Sequence, residues 1–167
     1  ILIDDDWQSR DCRSTAKALA EKITELGADL VFCGKVATDR DNAAVGPMLA
    51  TYLGWACVTD ACELKLDGAN GTAKRATEAG LESVSFSLPA VITCDKGLNE
   101  PRYAGLKGIM AAKKKPLEEA APLAAESHAK IVSLETPPPR PEAKVVGEGA
   151  AAVDDLIQAL RNEAKVL

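Results

Sequence analysis

Aromatic residues are scarce in this chain, making up 4% of its 167 residues. A core without them must be packed by small aliphatics, chiefly Ala, Val and Leu, and the 47% hydrophobic content supplies enough of these. Histidine is nearly absent: the one present, His128, sits in linker-like sequence, which speaks against a hydrolase built on a nucleophile and a base. The five cysteines, at 12, 33, 57, 62 and 94, form no C-x-x-C pair, and their odd number fits neither a zinc site nor a closed disulfide framework. They read as free thiols in a reducing compartment. Positive charge is not in excess. The formal net charge of −5 argues against a nucleic-acid binder. No apolar run reaches the ~18 residues that a membrane span requires. No secretory signal pattern, G-x-G-x-x-G fingerprint or Walker A motif is legible.

What is present alternates between helix and strand textures, within a length expected of one domain. "STAKALAEKITEL" (14–26) puts Ala16, Leu19, Ala20, Ile23 and Leu26 on one helical face, with Ser14 as the expected N-cap and Gly27 as the stop. "DLVFCG" (29–34) reads as a buried parallel strand, and the opening "ILID" as the strand before the helix, which together make a βαβ unit. A second helix is expected from near Pro47 to Leu53, stopped by Gly54. Alternation around Asp67-Gly68 and Asn70-Gly71 is hairpin chemistry. "ESVSFSLPAVITCD" (82–95) reads as another strand region, with Val84, Phe86 and Leu88 on one face. Residues 116–149, which include "TPPPRP", read as an extended linker arm, and 150–167 as a C-terminal helix bearing Val153, Leu156, Ile157, Leu160 and Ala164. Asp154 and Asp155 near its start and Arg161 and Lys165 near its end suit the helix dipole. The expected fold is α/β: a mainly parallel, Rossmann-like sheet with helices on both faces, a small antiparallel layer and the C-terminal helical arm.

Two non-periodic stretches carry the functional interest. "CGKVATDRDNAAVGP" (33–47) lies between a strand and a helix, where ligands bind in parallel α/β sheets. Gly34 and Gly46 permit close backbone approach, while Asp39 and Asp41 can take ribose hydroxyls or simply hold turns, and Asn42 can cap or hydrogen-bond. "KGLNEPRYAGLKGIMAAKKK" (96–115) fits neither a helix nor a strand template, and a loop of such varied chemistry usually serves something outside its own core.

Three segments together resemble the beta subunit of electron transfer flavoprotein. "GKVATDRDNAAVGPMLATYLGW" is similar to that family's adenine-nucleotide loop, "LPAVITCDKGLNEPRYAGLKGIMAAKKKP" to its signature, and "KVVGEGAAAVDDLIQALRNEAKVL" to its C-terminal arm. The resemblance implies a heterodimer with an alpha subunit. That subunit, together with the beta arm, holds a redox-active FAD. Beta carries AMP, or a second FAD in a bifurcating type. Electrons pass from acyl-CoA dehydrogenases toward a quinone oxidoreductase, in a bacterial cytoplasm or a mitochondrial matrix. The protein is an electron carrier without substrate chemistry of its own.

Carried over residue by residue, the nucleotide loop is Cys33, Gly34, Lys35, Val36, Ala37, Thr38, Asp39, Arg40, Asp41, Asn42, Ala43, Ala44 and Val45. The partner-recognition residues are Leu98, Asn99, Glu100, Pro101, Arg102, Tyr103, Leu106, Ile109 and Met110, with Leu106 as the anchor. Residues 1–115 would then be the nucleotide-binding part and 150–167 the helix that docks on the alpha subunit. The family is longer at its N-terminus, so this chain reads as a fragment whose first strand leaves an exposed edge.

The loop departs from the family's usual Gln, Ile, Gly, Thr and Gln by having Val36, Thr38, Arg40, Asn42 and Ala44, which leaves nucleotide identity open. Ala76 stands where a glutamate usually follows the arginine, here Arg75, so a bridge to the alpha subunit is lost. Two other readings remain: a stand-alone adenine-nucleotide sensor without a flavin role, and a hydrolase of the same α/β class.

Overall fold

The computed structural model describes residues 1–3, 10–121, 126–140 and 142–167. They form two compact units, Ile1–Ile131 and Val132–Leu167. Much of the expected strand "ILIDDDW" lies outside the described residues; what is described is β1 (Leu2–Ile3).

Helix α1 (Cys12–Leu26) begins earlier than its N-terminal side chains suggest. Its N-cap is Asp11, not Ser14. Asp11 Oδ1 accepts the Ser14 N–H at 2.7 Å, and the Ser14 hydroxyl donates to the Asp11 carbonyl oxygen at 3.1 Å. Ser14 is therefore a buried third-position residue in a reciprocal cap, which a sequence pattern of this kind leaves ambiguous. The other oxygen of Asp11 accepts the His128 N–H at 2.6 Å. These bonds hold its carboxyl well below the usual range, the Ser14 N–H first and the His128 N–H second. Gly27 ends the helix in the left-handed conformation, its N–H reaching back to Ile23 and Thr24. Ala16 and Ala20 are buried as expected, but Leu26 is exposed because it lies in the last turn, past the packed face.

Helix α2 (Val45–Leu53) stops at Gly54. Strands β2 (Leu30–Gly34), β3 (Ala56–Asp67), β4 (Asn70–Thr77), β5 (Gly80–Ser87) and β6 (Ala90–Cys94) form one sheet in the order β2-β6-β3-β4-β5. The β2–β6 and β6–β3 pairs are parallel, while β3–β4 and β4–β5 are antiparallel. The antiparallel part is thus continuous with the parallel part through the long β3.

Strand β6 is the middle strand of the parallel part, between β2 and β3, and its Ala90, Val91 and Ile92 are fully buried. Strand β2 was expected to be buried. Among the described residues it is an edge strand, as β5 is at the other side, and its Phe32 is 53% exposed. The region 82–95 divides into β5 and β6 at Leu88-Pro89, because proline gives no N–H to a ladder. The first hairpin turns on Gly68-Ala69, with Asp67 opposite Asn70 and a positive φ only at Gly68. Asn70-Gly71, read as a turn signal, lies inside β4 instead. There Gly71 faces Phe86, whose ring occupies the space of a side chain.

The α/β class with flanking helices is as expected: among the described residues, Ala16 and Ala20 of α1, Leu49 and Ala50 of α2 and Val91 form one cluster. The second cluster is built of strand residues: Val58, Ala61, Ala73, Phe86, Ala90 and Ile92, with Val84 and Leu88 beside them. Register shifts between Val58 and Glu63 bend β3.

Strand β1 does not join this sheet. It pairs in parallel with β7 (Glu119–Ala120), Leu2 opposite Glu119. In the second unit, residues 132–140 and 142–147 carry no helix or strand. A 3-10 turn (Ala150–Ala152), α4 (Val153–Ala159) and a π turn (Leu160–Ala164) follow. Asp154 and Asp155 occupy the first turn of α4, and Lys144 pairs with Glu163 at 2.5 Å.

Candidate functional site

At one end of the sheet the loops that follow β2 and β6 meet the irregular stretch of β3 between Val58 and Ala61. Gly34 lies opposite Cys94, and Cys94 opposite Ala61. The ladder continues one residue further: Lys35 N–H donates to the Cys94 carbonyl at 3.1 Å, and Asp95 N–H to the Ala61 carbonyl at 2.9 Å. Above these bonds the Lys35 ammonium contacts Asp60 Oδ1 at 2.8 Å and Asp95 Oδ2 at 3.0 Å. Asp60 has a positive φ of 59°, and its N–H donates to Thr93 Oγ1 at 3.0 Å. The Lys35 hydrogen bond pulls the Asp60 carboxyl below its ordinary range. Asp95 is pulled down first by the Lys96 N–H and then by Lys35. Lys35 is pushed up, by Asp60 first and Asp95 second.

Loop 35–44 turns through positive φ at Asp41 and Ala43. It is held by the Asp41 N–H on the Ala37 carbonyl at 2.9 Å, Arg40 Nη1 on the Arg10 carbonyl at 3.3 Å, and Asn42 Nδ2 on Cys12 Sγ at 3.3 Å. The loop then enters α2, whose N-cap Ala44 offers no side-chain acceptor to the first-turn N–H groups. That chemistry fits an anion at the α2 N-terminus, with Asp39 and Asp41 exposed nearby in the chain for hydroxyl groups. Lys35 does not extend toward such a phosphate, because its ammonium is taken by two carboxylates. Gly46 in the first turn lies against Thr93, and a Cβ there would overlap the threonine methyl. Two grooves in the first unit lie elsewhere, one between α1 and α2 beside Tyr52 and Trp55, the other along the first hairpin.

Segment 96–115 leaves the sheet at Asp95. It was read as fitting no helical template, but Leu106–Ala112 forms a helix, α3. The two glycines in "AGLKGIM" hid its period. Gly105 is the N-cap, and Gly108 lies one turn in, tolerated at a cost of ~1 kcal/mol relative to Ala. Leu106, Ile109 and Met110 fall at i, i+3 and i+4, on one face, and are 78%, 45% and 53% exposed. Tyr103 is wholly exposed, and Lys113, Lys114 and Lys115 follow the helix.

A family model described as the electron transfer flavoprotein domain matches residues 1–125. The electron transfer flavoprotein subunit beta of Bacillus subtilis is 37% identical over all of this chain and 68% of its own. That of Bradyrhizobium diazoefficiens is 38% identical over 92% of this chain and 62% of its own. The mitochondrial one of Oryza sativa subsp. indica is 39% identical, covering 92% and 61%. The chain belongs to the electron transfer flavoprotein family. It spans about two thirds of the length of these curated relatives, and the resemblance carried by the loop, the signature and the arm is borne out.

Within this electron transfer flavoprotein chain, the residues read as a nucleotide loop come together at the strand ends. Those read as partner-recognition residues are carried outward by α3 and the stretch before it. The carboxylates that receive Lys35 were missed. Asp95 had a weak signal, an acid closing a strand just before Lys96-Gly97. Asp60 had none, since it lies within a strand-like run and is placed by the bend in β3. Among the described residues, no group of three or more His, Cys, Asp or Glu is placed to hold a metal ion, and no helix is long and apolar enough to cross a membrane.

Proposed function

We propose that this chain, in its assembled protein, is the beta subunit of an electron transfer flavoprotein heterodimer. It carries electrons from acyl-CoA dehydrogenases toward a quinone oxidoreductase and is no catalyst itself. The alpha subunit, together with the C-terminal arm of this chain, holds the FAD, which supplies the electron-accepting chemistry when bound, and residues 150–167 dock on the alpha subunit. Residues 33–45 hold AMP, or a second FAD in a bifurcating protein, with phosphate toward the α2 N-terminus. Residues 98–110 dock the dehydrogenase, in a bacterial cytoplasm or, for a eukaryotic chain, a mitochondrial matrix.

The observation that carries this reading is α3. Three apolar side chains on one helical face stay outside both cores of the unit. Burying one leucine in a partner's pocket is worth about 1.5–3 kcal/mol, enough to orient a redox partner and still release it. The adjacent lysines steer acidic partners, an effect that salt weakens.

The test is to assemble the full-length chain with its alpha subunit and quantify flavin and AMP after denaturation. One FAD with one AMP is the expected result, and two FAD would assign the bifurcating type. Leu106→Ala should raise the KM for the dehydrogenase roughly tenfold, from the loss of that burial, without loss of flavin. Nucleotide binding with no alpha partner and no flavin would instead support the stand-alone sensor.

A further inference from the structure

Lys35 was read as part of the nucleotide loop, but its ammonium does other work. The carboxylate of Asp95 is shared: Oδ1 accepts the Lys96 N–H at 2.7 Å, and Oδ2 receives Lys35 at 3.0 Å. The first bond sets the turn by which segment 96–115 leaves the sheet, and the second fixes the carboxylate that makes that turn. Lys35 also holds Asp60, whose main chain is fastened by Thr93. One cation thus ties the roots of two loops, after β2 and after β6, to the irregular stretch of β3 at Asp60. Beyond this root the segment has no comparable fastening. Among the described residues, the hydrogen bonds of 97–115 stay within the segment: Asn99 to Glu100, and the turns of α3.

A helix held at one root takes its direction from that root. We propose that Lys35 is a positioning residue for docking: by clamping Asp95 against Asp60 it sets the direction in which residues 96–112 project. The inference rests on the docking role proposed for α3. The ammonium is 40% exposed on its side chain and the carboxylates 24% and 32%, so the clamp works through geometry more than through stability.

The test uses the full-length chain assembled with its alpha subunit. Its affinity for an acyl-CoA dehydrogenase of the same organism is measured by calorimetric titration, with flavin and nucleotide content determined in parallel. Asp95→Asn keeps an acceptor for the Lys96 N–H but turns a donor toward the ammonium, so it opens the clamp and spares the turn. Lys35→Met opens it from the other side. Both are expected to weaken docking about tenfold, which is about 1.4 kcal/mol, and Asp95→Asn, outside the nucleotide loop, is expected to do so with cofactor content unchanged. In a Leu106→Ala background each should weaken it less than in the parent, because the helix has lost one of the three apolar side chains it presents.

Loss of nucleotide from Lys35→Met with unchanged docking would overturn the proposal and make Lys35 a nucleotide ligand. Full additivity with Leu106→Ala would overturn it as well. So would weakened docking in Leu106→Ala with none in Asp95→Asn, and that outcome leaves the docking role standing. Unchanged affinity in Leu106→Ala itself would remove that role, and this inference with it.

Discussion

Replacing Gly46 with alanine sets helix propensity against packing, and the structure decides which wins. Gly46 lies in the first turn of α2, where alanine should gain about 1 kcal/mol over glycine. The added Cβ, however, would overlap Thr93 Cγ2 and lie 3.7 Å from Cys33 Cβ. Carbons rest at roughly 3.5–4.0 Å, so one side must move by about an ångström. Thr93 is 3% exposed, β-branched, and held through Oγ1 by the Asp60 N–H, so it cannot rotate away without losing that bond. Overpacking of this kind costs about 1–3 kcal/mol, and with Thr93 unable to yield the cost lies in the upper part of that range, so Gly46→Ala should destabilise by a net of about 1–2 kcal/mol.

Thr93→Ser keeps Oγ1 and deletes the offending methyl, at a cost of about 1 kcal/mol for the small void. In the double variant the methyl introduced at position 46 fills that void. Its stability should lie within about 0.5 kcal/mol of the parent, a coupling of about 2 kcal/mol across the cycle. Thermal unfolding of the full-length protein, followed by tryptophan fluorescence, reads this directly, because Trp55 packs against the cluster that contains Leu49 and Ala50. At about 2–4 °C per kcal/mol, Gly46→Ala should melt several degrees early and the double variant near the parent. If Gly46→Ala melts like the parent, or if Thr93→Ser simply adds to it, the packing argument is wrong.

The same reasoning applies at Gly71, where an added Cβ would lie 2.8 Å from Phe86 Cε1 and Cε2. Gly71→Ala should cost about 2 kcal/mol in thermal or urea unfolding, and Phe86→Leu should relieve part of it. Asp11→Asn should cost about 1 kcal/mol at neutral pH, since one amide oxygen cannot serve both the Ser14 and the His128 N–H groups. The folded carboxyl of Asp11 titrates below its ordinary 3.8. Its contribution is therefore complete above that value and is lost as pH falls through the folded one, so Asp11→Asn should flatten the fall of melting temperature below about pH 4. Asp60 and Asp95 shift in the same direction and should leave a residual acid sensitivity in that variant.

The sequence by itself determined whatever rests on neighbours in the chain. Gly27 and Gly54 close α1 and α2, because a left-handed residue after an apolar helical period is a local requirement. The alternation of Val84, Phe86 and Leu88 marks a strand face, because successive side chains point to opposite sides. The family motifs were legible for the same reason, being runs of consecutive residues.

Tertiary structure decided the rest. It chose Asp11 over Ser14 as the cap and placed the first turn on Gly68-Ala69, within a register fixed by pairing along the whole of β3 and β4. It left β2 as an edge strand and joined β1 to residues near 120, since the partner of a strand is not written in the strand. It also gathered Lys35 and Asp95 from two loops and Asp60 from within β3. Their positions are far apart in sequence, and only the parallel alignment of β2, β6 and β3, with the bend in β3, brings one ammonium within reach of two carboxylates.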